Sequence, residues 1–151
     1  MAIVKHIKSR NANYSDALNY LIFQHDESTG KMILDEFDRP LRRDELYVDG
    51  LNCNPDTFDV ECYECNEHFK KNRSRSEIKS HHYIISYDPA DAIECDLTGE
   101  KAQALSLDLA QKIFPGYQAL IVTHTGGHNG SGNIHTHIVI NSVRKEAVRR
   151  Q

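Results

Sequence analysis

Apolar and polar positions alternate, cluster and recur along the chain in a way that divides it into eight elements. "AIVKHI" (2–7) alternates with period two and predicts a short strand. Ser15 is placed to cap a helix, Asp16 suits its positive end, and Ala17, Leu18, Leu21 and Ile22 recur at helical spacing up to about Gln24. The stretch 25–43 has turn residues at both ends and predicts an excursion, a hairpin by its turn chemistry. "ELYVDGLNC" (45–53) predicts a strand closed by "NPD", and residues 56–71 a helix carrying Phe58, Val60, Tyr63 and Phe69. "SHHYIISYDP" (80–89) predicts a buried strand stopped by Pro89. Residues 98–114, with Ala102, Leu105, Leu109 and Ile113 at helical spacing, give the clearest helix signal in the chain. "YQALIVTHT" (117–125) and "NIHTHIVINSV" (133–143) predict two strands joined by a loop, "GGHNGSGN", that holds four glycines.

The predicted order is β-α-β-α-β-α-β-β, without repeats. Its final hairpin requires an antiparallel pair, so the expected fold is α/β in the α+β sense: a mostly antiparallel sheet of about five strands with helices packed on it. At 151 residues the chain fits one domain, 1–151, able to form a core without disulfide or metal staples. The longest apolar runs are too short to span a bilayer and the amino terminus lacks a signal peptide's apolar core, which leads us to expect a cytoplasmic protein without membrane insertion. The four cysteines are irregularly spaced, and "CYEC" (62–65) lacks the second close ligand pair that a structural zinc site needs; reduced thiols are expected.

A net charge of −4 gives no general reason to expect nucleic acid as a partner. Locally, however, bases collect at "RPLRR" (39–43), "FKKNRSRSEIK" (69–79) and "VRKEAVRR" (143–150).

Candidate chemistry concentrates in "HNGSGNIHTHIVIN" (128–141). Residues two apart in a strand share a face, so His135 and His137 stand side by side about 7 Å apart at the backbone. The glycine loop lets His128 fold over the start of the strand and close a three-nitrogen site on one ion. His124, at the end of the preceding strand, is a competing ligand. Three neutral ligands leave coordination positions and the full charge of the ion for an anion such as a phosphodiester, and ligand type alone does not choose among zinc, manganese and magnesium. There is no G-x-S-x-G elbow, phosphate-binding glycine loop or acidic metal cluster. Nucleophile candidates are therefore cysteines, hydroxyls and tyrosines. Tyr20, in "DALNYLIFQHD", is one; a tyrosine packed at the edge of the core is the plainer reading of the same residue.

"NIHTHIVIN" with a histidine seven residues before its first His resembles the metal motif of conjugative relaxases, the mobilisation nucleases of the HUH endonuclease superfamily. The branch it is most similar to includes the plasmid and agrobacterial strand-transfer relaxases and those of integrative conjugative elements. "ALNYLIF" resembles the tyrosine motif of that family, "GLNCNPDTF" a connecting segment and "SHHYIISYDP" its middle motif, so the resemblance covers nearly the whole chain.

The resemblance implies an HUH-type two- or three-layer sandwich, the N-terminal part of a longer protein. It implies that His128, His135 and His137 bind one divalent ion, manganese or magnesium first and zinc otherwise. Tyr20 would then attack a phosphodiester at an origin of transfer, leaving a 5′-phosphotyrosyl intermediate and a free 3′-hydroxyl, with Tyr14 as the alternative nucleophile. His82, on one strand face with Ile84 and Ser86, would orient a ligand or act as a base for the phenol, with a plain hydrogen-bonded strand histidine as the other reading. A serine-containing motif carries over to Ser76, which makes Arg73, Arg75 and Lys79 the expected phosphate contacts. Single-stranded or hairpin DNA, accessory relaxosome proteins and a coupling protein are the implied partners. The glycine-rich loop departs from relatives that carry acidic residues there. Competing readings are a rolling-circle replication initiator, a three-histidine hydrolase acting through metal-activated water, and a metal-stabilised binding module without cleavage.

Overall fold

The computed structural model describes residues 2–26, 28–43, 46–125 and 133–147. Five strands, β1 (Ala2–Ser9), β2 (Leu46–Leu51), β3 (Ser80–Tyr87), β4 (Tyr117–His124) and β5 (His135–Arg144), form one sheet in the order β1-β3-β5-β4-β2. Every neighbouring pair is antiparallel. Helices α1 (Tyr14–Ile22), α2 (Phe58–Phe69), α3 (Pro89–Glu94) and α4 (Gly99–Ile113) join them. The expected α+β sandwich is the fold observed.

The registers decide what each face does. His135, His137, Val139 and Asn141 of β5 share a face with Leu120, Val122 and His124 of β4, because directly opposed residues project to the same side. On that face Tyr14, Leu18, Leu21 and Ile22 of α1 and Phe58 and Cys62 of α2 close a core over Leu120, Val122 and Val139. On the other face Ala110 of α4 packs with Ile85, Ala119, Ile121, Ile138 and Ile140. The sheet is therefore the middle of three layers. Central strands β4 and β5 are buried on both faces, hence their near-continuous Val, Ile and Leu. Edge strand β1 is exposed almost throughout.

Several boundaries moved for local reasons. Helix α1 starts at Tyr14 because Asn13, not Ser15, caps it: the Asn13 side chain accepts the Ser15 amide proton. The excursion 25–43 carries isolated antiparallel bridges, His25 to Met32 and Leu34 to Pro40, instead of full strands. Helix α2 follows a single 3-10 turn at Pro55–Thr57 and ends where Lys70 turns left-handed at φ 54°.

Helix α4 forms where its periodicity predicts, but it is rotated. Leu105, Leu109 and Ile113 are exposed, and Ala102, Gln103, Ser106 and Ala110 face the sheet. Small residues let the helix approach closely; a Cβ on Gly99 would collide with the side chains of Tyr47 and Thr125. Gln103 fixes the rotation by donating to Asp49 (2.9 Å) and to the Ile121 carbonyl (3.0 Å) while accepting from the Thr123 hydroxyl (2.7 Å). Cys53, Cys62, Cys65 and Cys95 are free thiols. Burial pushes the Cys62 thiol far up, so it is an inert core side chain.

Candidate functional site

Helix α1 lies along the sheet with its start tied to Asn141 of β5 and its end to His124 of β4. At its start the Tyr14 hydroxyl is buried between the Lys79 carbonyl (2.8 Å), Asn141 Oδ1 (2.9 Å) and Asn66 Nδ2 (2.9 Å). At its end the Leu21 carbonyl accepts a proton from His124 Nε2 at 2.7 Å. Tyr20 precedes that anchor and is exposed, at 57%.

Under this last turn three histidines meet. His124 and His135 are direct cross-strand partners, and His137 is two residues further along β5. Their ring centroids are 5.1 to 5.2 Å apart, and one nitrogen from each lies within 4.8 Å of the others.

Hydrogen bonds around the rings decide which nitrogens face inward. A carbonyl only accepts, so the bond to Leu21 places the His124 proton on Nε2 and makes Nδ1 the lone-pair nitrogen of the neutral ring. His135 Nδ1 donates likewise to the Asn133 carbonyl at 3.0 Å, which leaves Nε2 as its lone-pair nitrogen. These two inward nitrogens stand 3.2 Å apart. Two lone pairs at that distance repel unless an electrophile lies between them, and two nitrogens each about 2.0–2.1 Å from one ion stand roughly 3–3.4 Å apart. The group fits a metal site.

His137, buried like His124, completes it. Burial, followed by the neighbouring charges of His82, His124, His135 and Arg43, pushes its pKa down to about 2, so the ring is neutral at ordinary pH as a ligand must be. Its Nδ1 is 2.8 Å from His82 Nε2, from the adjacent strand β3. Burial also holds His82 below the usual histidine range.

The structure thus brings His135, His137 and His82 together, and Tyr20 stands one residue before the Leu21 carbonyl that His124 holds. His128 lies outside the described residues, and among those described the third histidine of the group is His124, the competing candidate of the sequence. Loop 72–79 is not brought to the histidines. It enters β3 at Ser80, the partner of Asn141, four residues along β5 from His137 and therefore roughly 13 Å away. Arg73 is exposed and 3.6 Å from Glu67, Arg75 is exposed, and the Ser76 hydroxyl is 2.9 Å from that of Ser74. Lys79 departs from expectation. It is 3% exposed, and its ammonium donates to the carbonyls of Ser74 (2.7 Å) and Glu77 (2.8 Å), so it holds the loop and has no reach to phosphate in this conformation.

Two residues beside Tyr20 were missed. His25 lies 5.8 Å from the Tyr20 ring, centroid to centroid, and its Nδ1–H donates to the Phe23 carbonyl at 3.0 Å. Arg43 places its guanidinium 5.8 Å from the centre of the Tyr20 ring and donates to the Tyr20 carbonyl at 2.8 Å. Only the basic run 39–43 hinted at Arg43, and nothing in its spacing tied it to the helix.

Among the described residues no helix is long and apolar enough to cross a membrane. No solved structure matches the chain. Residues 33–150 match the family model "Relaxase: MobA/VirD2-like, nuclease domain", a stretch that includes all the histidines of the site and starts after Tyr20. Two relatives named Protein rlx, from Staphylococcus aureus, are 32% identical over 101 residues (64% of this chain, 27% of theirs) and 33% identical over 105 residues (67% and 28%). The chain spans about a quarter of the length of these relatives. A match over most of its length, falling on a sheet that assembles the paired histidines, shows that the chain belongs to the conjugative relaxases and carries their MobA/VirD2-like nuclease domain.

Proposed function

We propose that this domain nicks and rejoins one DNA strand at an origin of transfer through a covalent 5′-phosphotyrosyl intermediate on Tyr20, and so initiates conjugative transfer. The observation that supports the reading is the anchoring of the last turn of α1 to His124 through the Leu21 carbonyl, one residue after the exposed Tyr20, beside a convergent histidine group.

His124, His135 and His137 would hold the ion, with His128 a further candidate beyond the described residues. When bound, a divalent ion, manganese or magnesium first and zinc otherwise, draws charge from the non-bridging oxygens of the phosphodiester. The phenol oxygen of Tyr20 attacks phosphorus, the bond to the 3′-oxygen breaks, and that oxygen takes up a proton as the 3′-hydroxyl. Religation is the reverse, and because the phosphotyrosine keeps the phosphodiester energy it needs no nucleotide. His82 acts through His137: with the His137 Nδ1–H donating to His82 Nε2, the other His137 nitrogen is turned to the ion. Tyr14 suits the nucleophile's role poorly, since burial raises its pKa to about 12 and its oxygen is spent on four internal partners, Lys79, Asn141, Asn66 and Asn72.

The DNA path follows from what the helices leave uncovered. On the histidine face, Ile3 (70% exposed), Lys5 and Ile7 of β1 border Ile84 and His82, and among the described residues they stay largely exposed, an apolar and basic strip for unstacked bases of single-stranded or hairpin DNA. Arg73, Arg75 and Ser76 lie beyond the end of β3 as backbone contacts. Accessory relaxosome proteins and a coupling protein are the partners this role calls for.

Incubation of the domain with a labelled origin oligonucleotide and manganese tests the reading. A protein-DNA adduct absent from Tyr20→Phe supports it, whereas cleavage without an adduct, or unchanged in Tyr20→Phe, assigns the activity to water and overturns it.

A further inference from the structure

Arg43 sets its guanidinium beside Tyr20 and near enough to the histidines for its charge to act on His137. Its backbone N–H donates to the Ile22 carbonyl (2.9 Å), which fastens it to α1, and one terminal nitrogen donates to the Tyr20 carbonyl (2.8 Å). The guanidinium carbon stands 5.8 Å from the Tyr20 ring centre, and its charge is felt at His137. The side chain is half-buried, and its Nε is buried without a hydrogen-bond partner. Among the described residues no carboxylate pairs with it. A guanidinium taken out of water with a donor unspent is costly for a fold to keep unless an anion completes it. The anion that fits beside Tyr20 is phosphate, which a planar fork of donors binds through two oxygens.

We propose that Arg43 is a catalytic residue of the strand transfer, binding the non-bridging oxygens of the scissile phosphate next to Tyr20 and holding them in line for attack. This rests on Tyr20 being the nucleophile. As the phenol oxygen bonds to phosphorus, its proton leaves to solvent, the bond to the 3′-oxygen breaks, and the 3′-oxygen is protonated. Arg43 keeps all its protons throughout and meets the charge that builds on the equatorial oxygens. The tie to the Tyr20 carbonyl means that the same side chain fixes the end of the helix from which the nucleophile projects.

The test measures the rate of adduct formation, oligonucleotide binding and thermal unfolding for the parent, Tyr20→Phe, Arg43→Ala and Arg43→Lys, each with and without added guanidinium ion. Arg43→Ala is expected to bind the oligonucleotide yet form adduct about 100-fold more slowly or worse, and guanidinium is expected to restore part of the rate, which a purely structural role would not show. A rate within about threefold of the parent, or a loss that guanidinium leaves untouched, overturns the proposal. If Arg43→Ala is unfolded at the assay temperature, Arg43→Lys decides: a folded protein about tenfold or more slower supports the fork, and a parent-like rate overturns it. An adduct in Tyr20→Phe overturns the nucleophile and Arg43 together, whereas its absence there with a parent-like rate in Arg43→Ala overturns Arg43 alone.

Discussion

Replacing Tyr14 by phenylalanine removes one oxygen from the polar knot that joins α1, α2, β3 and β5. The ring itself stays, packed edge-on against Phe58 at 6.0 Å between centroids, so no cavity larger than a hydroxyl opens. The lost partners differ in consequence. The Lys79 carbonyl still accepts from the Ser142 amide, and Asn141 Oδ1 still faces the Val143 amide. Asn66 Nδ2, in a side chain 7% exposed, loses an acceptor in a place water does not reach. One stranded buried donor costs about 1–3 kcal/mol. For a domain of this size that lowers the unfolding midpoint by roughly 3–10 °C. The neutral phenol also links stability to alkaline pH. Its pKa is raised in the fold to about 12 from 10.0, so its contribution is complete below pH 10 and is lost as pH rises toward 12. Thermal and urea unfolding at neutral and alkaline pH, run beside the adduct assay, check this: Tyr14→Phe should be less stable at pH 7, lose less on passing from pH 10 to 12, and still form the adduct. Unchanged stability would refute the hydrogen-bond reasoning, and a folded Tyr14→Phe that forms no adduct would refute the exclusion of Tyr14 from the chemistry.

Other outcomes follow from the same geometry. His82→Ala should weaken manganese binding about 10- to 100-fold by calorimetry without removing a ligand, since it only frees the His137 ring to turn; unaltered affinity would remove its positioning role. His135→Ala and His124→Ala should each abolish tight binding, and retention in His124→Ala alone would return His128 to the third position. Without metal, His137 has a pKa far below the 6.5 of the unfolded chain, so the unfolded state binds protons first and stability should fall as pH drops below about 6.5; His137→Gln should flatten that slope. Leu105→Ala should change the unfolding free energy by less than about 1 kcal/mol, because the rotation of α4 leaves Leu105 57% exposed.

Strand parity in "HTHIVIN" was enough to put His135 and His137 on one face, because alternation depends only on the local backbone. The third ligand was not decidable that way. His124 reaches the site through the β4-β5 register, which sets it opposite His135, and register is a property of the pair of strands. Helix α4 shows the converse failure: Leu105, Leu109 and Ile113 mark a helix correctly, yet its contact face is chosen by small residues and by Gln103, whose partners on β2 and β4 are distant in sequence. Lys79 looked like one more base in a basic run, but the loop turns its ammonium inward onto its own carbonyls. Arg43 gave no periodic signal because it follows an irregular excursion, and only the docking of that excursion against α1 brings it to Tyr20.

The account turns on which oxygen carries the DNA. Trypsin releases residues 11–31 as one peptide holding both Tyr14 and Tyr20, so fragment masses of the nuclease-trimmed adduct assign the nucleotide to one of them. The account predicts a 5′-phosphonucleotide on Tyr20, formed only with divalent metal and absent from Tyr20→Phe. A nucleotide on Tyr14, or cleaved DNA with neither tyrosine modified, would contradict it.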